Sequence, residues 1–188
     1  MLKGINILLG VSGGIAAFKA ASLAGMLVKN GAVVRCILTA NACKLVTPRT
    51  FEAITNRQVF TDMWEVGGSY KIGHINILDD TDIVVVAPAT ANIIAKAANG
   101  IADDMLSTTL CAGWQKPVLL APAMNTQMWT NPATQRNMEH LKAQGWHITG
   151  PESGRLACGT EDIGRMSEPE AIFAAINKLA AAIKTSAI

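Results

Sequence analysis

The chain has 188 residues, half of them hydrophobic and 16% charged, with a formal net charge of +2. That length suits one domain with a core large enough to need no disulfide framework, and neither the net charge nor any lysine–arginine run points to a polyanion or nucleic-acid partner. No apolar run approaches the ~18 residues of a membrane span, and the run at 4–11 passes into Ser12-Gly13-Gly14 rather than a cleavage site, so no secretory leader is expected.

Ile5–Val11 reads as a first strand ending in Ser-Gly-Gly. Helical spacing of Ile15, Phe18, Ala21, Ser22 and Leu27 predicts a helix over Ile15–Lys29, closed by Gly31, and Val33–Leu38 is a second strand. Pro48 after Thr47 opens a helix carrying Phe51 and Ile54. Asp82–Ala87 is a continuous, largely β-branched run, as expected of a central parallel strand covered on both faces. Helices follow at Ala91–Asn99 and Asp103–Ala112, a strand at Pro117–Ala121, a helix at Pro132–Gln144 and a strand at Trp146–Thr149. Glu152–Gly159 is too rich in glycine to be read as strand or helix. Ser167-Glu168-Pro169-Glu170 caps a last helix that runs to about Lys184.

This alternation predicts an α/β fold, a three-layer Rossmann-like or flavodoxin-like parallel sheet with helices on both faces. Ligands bind such sheets beyond the carboxyl ends of the strands. The polar clusters fall there: Gly10–Ile15, Thr39, Pro88–Asn92 and Pro122–Trp129. The glycines and Ser12 can meet a phosphate at a helix N-terminus, although the segment is neither a Walker A loop nor a dinucleotide fingerprint. Thr90 could instead simply cap the helix that follows it. Asn125 offers a donor and an acceptor between stiffening prolines, with Met124, Met128 and Trp129 as apolar cover that could also face a neighbouring subunit. Cys158 lies among glycines between Arg155 and Arg165, the electropositive setting of a reactive thiol. Cys36, Cys43, Cys111 and Cys158 form no C-x-x-C pair and read as free thiols in a reducing cytoplasm. His74 follows the polar stretch Gly67–Tyr70, while His140 and His147 fall on a helix and a strand. No ligand spacing suggests a metal.

Taken in order, Gly-Val-Ser-Gly-Gly-Ile-Ala, Gly-His-Ile, Pro-Ala-Thr-Ala-Asn, Ala-Asp-Asp-Met-Leu, Pro-Ala-Met-Asn-x-x-Met-Trp and Ala-Cys-Gly with Gly-Arg-Met resemble the homo-oligomeric flavin-containing cysteine decarboxylases over about residues 4–175. The resemblance is greatest to members that decarboxylate phosphopantothenoylcysteine in coenzyme A biosynthesis. It implies FMN held by Ser12, Gly13, Gly14, Thr39, Pro88, Thr90, Asn92 and Ala123. It also implies His74 as base, Asn125 on the substrate carboxylate and Cys158 as the acid that protonates carbon. Met128, Ala157 and Arg165 would complete the substrate site, Arg165 as a partner for its phosphate, within a clamp over Ala157–Met166. Asp162 stands where that clamp has a glycine, with Glu161 beside it, and Thr90 replaces a serine. The expected partners are further copies of the chain, as a trimer or a dodecamer of trimers, and a phosphopantothenate–cysteine ligase domain or protein. The resemblance leaves other readings: a peptidyl-cysteine decarboxylase, a flavin prenyltransferase, or a flavoprotein regulatory subunit without catalysis.

Overall fold

Residues 2–64, 77–155, 159 and 161–186 are described in the computed structural model. Strands and helices alternate as β1 (Asn6–Val11), α1 (Ala17–Lys29), β2 (Val33–Leu38), α2 (Pro48–Thr55), β3 (Val59–Phe60), β4 (Ile83–Ala89), α3 (Ala91–Asn99) and α4 (Met105–Ala112). They continue as β5 (Val118–Pro122), α5 (Thr126–Thr130), α6 (Pro132–Ala143), β6 (His147–Ile148), β7 (Glu152–Arg155), β8 (Glu161–Arg165) and α7 (Pro169–Ser186).

The first six strands form one sheet in the order β3-β2-β1-β4-β5-β6, every pair parallel. The chain winds outward from β1 to β3, then returns to lay β4 on the other side of β1. That reversal opens a crevice at the carboxyl ends of β1 and β4, the place where open α/β sheets bind ligands. Side chains alternate across β1: Ile7, Leu9 and Val11 join Leu23, Leu27, Ile172 and Ile176 in one core layer, and Leu8 joins Ile93, Leu106, Met138 and Leu141 in the other. The expected three-layer fold is present.

Several local expectations change. On α1 the buried stripe is Ala17, Ala20, Leu23, Ala24 and Leu27, whereas Ile15 and Phe18 are 63% and 61% exposed. The helix begins two residues later than its apolar spacing suggests, so Ile15 belongs to the turn before it. Small alanines let the helix lie close to the sheet, and the larger pair faces outward. β4 runs on through Pro88 and Ala89. Its register with β5 shifts between Val86 and Ala89, the kind of irregularity at which a strand tolerates a residue without an N–H.

The glycine-rich segment does form strands. β7 and β8 pair antiparallel, Gly154 opposite Asp162, with Gly154 at φ +152° and Gly164 at φ +139°. Glycine occupies this region at no steric cost, so the residues that argued against a strand are the ones that permit this ribbon. α5 and the two-residue β3 were also not anticipated. Each is too short to show a period.

Candidate active site

A cleft of ≈ 1100 Å³ opens at the β1–β4 switch point. It gathers Ser12, Gly13, Gly14, Thr39, Thr90, Asn92, Ala123, Asn125, Met128 and Arg165, drawn from loops far apart in the chain. His74, Ala157 and Cys158 lie outside the described residues.

One end of the cleft is built on Ser12, which is 2% exposed. Its hydroxyl donates to the Pro88 carbonyl at 2.8 Å, accepts from the Thr90 N–H at 3.1 Å and lies 3.0 Å from the Thr90 hydroxyl. With its proton committed to Pro88, Ser12 ties the end of β1 to the end of β4, and a ligand there would meet backbone donors instead. α1 has no side-chain cap, and the N–H groups of Gly13, Ile15 and Ala16 have no acceptor among the described residues. A side chain on Gly13 would overlap Asn41, and a Cβ on Gly14 would come 3.2 Å from the Thr90 methyl. The result is a tight cradle of unpaired N–H groups at the positive end of a helix, which suits a phosphate.

Thr90 occupies the cap position of α3 but makes no side-chain cap bond; its hydroxyl turns to Ser12 instead. Pro88 stands behind the lining, supplying its carbonyl to Ser12 and its ring, 3.5 Å from a Cβ on Gly14. Thr39 accepts from the Ala42 N–H at 3.2 Å and keeps its hydroxyl proton to donate. Asn92 is exposed in the first turn of α3, and Ala123 donates its N–H to the Ala89 carbonyl at 3.0 Å. The residues present therefore fit a phosphate-bearing cofactor.

The opposite wall carries Asn125, the N-cap of α5, whose Oδ1 accepts from the Gln127 N–H at 2.8 Å. β8 holds this loop from behind. The Met124 N–H donates to the Gly164 carbonyl at 2.9 Å, and the Thr126 hydroxyl donates to the Ile163 carbonyl at 2.7 Å. Met128 is 48% exposed at the cleft, but Met124 and Trp129 pack on the second core layer. Of the three residues expected as apolar cover, Met124 and Met128 line the cleft, and Trp129 is not part of its lining. Arg165 sits 3.3 Å from both Glu152 and Glu168, and Glu168 also holds Lys19 at 2.9 Å. The hydrogen bond from Lys19 holds the Glu168 carboxyl below its ordinary range.

Lys19, Lys96, Asp104 and Arg155 also line the cleft; the sequence marks Arg155 only as a cation near Cys158 and Asp104 only within its motif, and does not single out Lys19 or Lys96. Lys96, in the last turn of α3, lies 2.5 Å from Asp103 and 2.6 Å from Asp104. Asp104 in turn caps α4 through a reciprocal pair with Ser107. Burial works against the Lys96 charge, yet hydrogen bonds to Asp103 and Asp104 hold its ammonium above the ordinary lysine value. The Ala-Asp-Asp-Met-Leu motif is thus a bolt between two helices on the cleft wall. Its spacing, two acids before an apolar run, was the available signal. Among the described cysteines, Cys36 and Cys111 are free thiols, and burial pushes the Cys36 thiol up to about 12. No helix among the described residues is long and apolar enough to cross a membrane.

The family model described as Flavoprotein matches residues 1–181. The Bacillus subtilis coenzyme A biosynthesis bifunctional protein CoaBC is 49% identical over 92% of this chain and 42% of its own length. The chain therefore spans about two fifths of that relative. Among solved structures, a cysteine-to-serine mutant of PPC decarboxylase complexed with pantothenoylaminoethenethiol superposes with a TM-score of 0.85 at 31% identity, covering 92% of this chain and 96% of that one. The FMN-dependent cysteine decarboxylase SpaF gives 0.80 at 34% identity, covering 96% and 99%. With a phosphate cradle at the switch point and this likeness over nearly its whole length, the chain belongs to the Flavoprotein family, among the flavin-containing cysteine decarboxylases and close to phosphopantothenoylcysteine decarboxylase.

Proposed function

We propose that this chain is one FMN-binding domain that decarboxylates 4′-phosphopantothenoylcysteine to 4′-phosphopantetheine in coenzyme A biosynthesis. The observation that carries the reading is the single cleft in which the phosphate cradle at Gly13–Ala16 faces Asn125, Met128 and Arg165. Likeness to a decarboxylase complexed with pantothenoylaminoethenethiol supports the substrate class.

The N–H groups of Gly13, Ile15 and Ala16 would hold the FMN phosphate, with Thr39 and Asn92 as further donors and Ala123 against the ring. Ser12, Pro88, Gly14 and Thr90 shape that end. When bound, FMN supplies the two-electron oxidation that makes the thiol-bearing carbon a thioaldehyde, able to accept the electron pair left by CO2 as an enethiolate, and the reduction that closes the cycle. Asn125 orients the carboxylate, its amide fixed by the helix it caps. Met128 covers the reacting end and excludes water. His74 as base, Cys158 as carbon acid and Ala157 in the clamp are carried from the sequence resemblance. The exposed Ile15, Phe18 and Met128 at the cleft support assembly with further copies of the chain, as trimers or trimers of a dodecamer. A ligase domain or protein would supply the substrate, and both would work in the cytoplasm.

The test is turnover of purified, FMN-loaded protein with phosphopantothenoylcysteine, followed by mass spectrometry. Formation of 4′-phosphopantetheine is expected. Accumulation of the enethiol alone would favour the peptidyl-cysteine type of chemistry, and no CO2 loss would refute the reaction.

A further inference from the structure

α3 has little of its own to hold it in place. It buries only Ile93 and Ile94 and has no side-chain cap bond. Its start is tied to β1 by the bonds between Thr90 and Ser12. Its last turn is tied by Lys96, whose side chain is 16% exposed and whose ammonium lies between Asp103 and Asp104. Asp104 divides its oxygens between two tasks. Oδ1 accepts from the Ser107 N–H at 2.8 Å and caps α4, while Oδ2 accepts from Lys96 at 2.6 Å. Ser107 is fully buried, and its hydroxyl oxygen accepts from the N–H groups of Asp103 and Asp104. The neighbouring Leu106 fills the space that a side chain on Gly10 would need, so α4 is seated on β1 just before the cradle.

Asn92 stands four residues before Lys96, on the same face of α3. Both line the cleft, as does Asp104. The Asn92 amide is exposed and makes no hydrogen bond among the described residues. An ion pair withdrawn from water returns little stability, because desolvation offsets most of the attraction, and two apolar side chains would join the helices as well. What the charged bolt adds is geometry, since a lysine gripped by two carboxylates of one turn fixes where the helix face points.

We infer that Lys96 is a positioning residue for the flavin: through Asp103 and Asp104 it locks α3 to the cap of α4 and so holds the Asn92 amide where it donates to FMN. The inference goes beyond the proposed reaction and rests only on FMN as the cofactor of this cleft.

The test is FMN binding to the apoprotein, titrated by quenching of flavin fluorescence, for the wild type, Lys96→Met, Asn92→Ala and the double variant. The melting temperature of each apoprotein is recorded beside it. Lys96→Met should weaken FMN by about tenfold, within the coupling energies of residues in one network, and Lys96→Arg should restore most of the affinity. Asn92→Ala should weaken FMN by a similar factor. The double variant should lose no more than Asn92→Ala alone, because Lys96 acts through that amide. Additive losses, or wild-type affinity in Asn92→Ala, overturn the inference. A Lys96→Met protein that melts lower yet binds FMN as before also overturns it, since the bolt would then be structural only. If Lys96→Met does not fold, Asp104→Asn takes its place in the same cycle, because asparagine keeps the cap of α4 and removes the charge. A wild type that binds no FMN overturns cofactor and inference together, whereas the decarboxylation assay, read separately, bears on the reaction alone.

Discussion

Asn125 both faces the cleft and caps α5 through its Oδ1, which makes one substitution unusually clean. Aspartate accepts the Gln127 N–H as well as asparagine does, so Asn125→Asp should keep the helix, the melting temperature and the flavin. A negative charge set against a carboxylate costs several kcal/mol, so kcat/KM should fall on the order of 100-fold or more. Steady-state kinetics beside a thermal melt checks both halves. Glu168 provides a pH dependence. Its carboxyl is held down chiefly by the Lys19 hydrogen bond, from an ordinary value of 4.5. A depressed carboxylate contributes stability above its unfolded value and loses it as pH falls through the folded one. The gap in melting temperature between wild type and Glu168→Gln should therefore be constant near neutrality and shrink below pH 4.5; a gap independent of pH down to 3 would contradict it. Ser12, Thr39, Asn92 and Asn125 were legible as cleft-lining positions because the loops after parallel strands gather at one edge of the sheet. The bonding of Ser12 to Thr90 was not, nor was the Lys19–Glu168 pair, since they join positions 78 and 149 apart in the chain. No local pattern encodes contacts that exist only after the sheet has formed.

Among the elements, the helices and long strands were readable because their apolar periods are long. β7, β8 and α5 were not, because glycine conformation and one cap decide them. β8 is also the brace of the Asn125 loop. Gly164 sits at φ +139°, and a Cβ there would run into the Met124 carbonyl. Gly164→Ala should consequently destabilise by about 1–3 kcal/mol and lower kcat through a displaced Asn125 while leaving FMN bound. Thr126→Val, which removes only the bond to Ile163, should cost about 1 kcal/mol. Chemical denaturation and flavin titration of the two variants separate brace from cofactor site. If Gly164→Ala kept full turnover, β8 would not position the loop.

At the scale of the molecule, the two core layers hold the sheet and the sheet holds the cleft. Leu23, fully buried between α1 and β1, should cost about 2–5 kcal/mol on truncation to alanine, read as a shift of the denaturation midpoint. Phe18, on the same helix but outward, should leave that midpoint nearly unchanged when replaced by aspartate, and light scattering should show a smaller particle. A Phe18→Asp protein of unchanged size would place the subunit contact elsewhere. The hydroxyl of Ser12 has a consequence beyond the site. It joins the two central strands at the point where the cofactor phosphate would sit, so flavin cannot leave by local fraying of an edge. Colour and fold should disappear together: on heating, the rise in fluorescence of freed flavin should superimpose on the loss of helical circular dichroism, making the pigment a built-in thermometer of the β1–β4 seam.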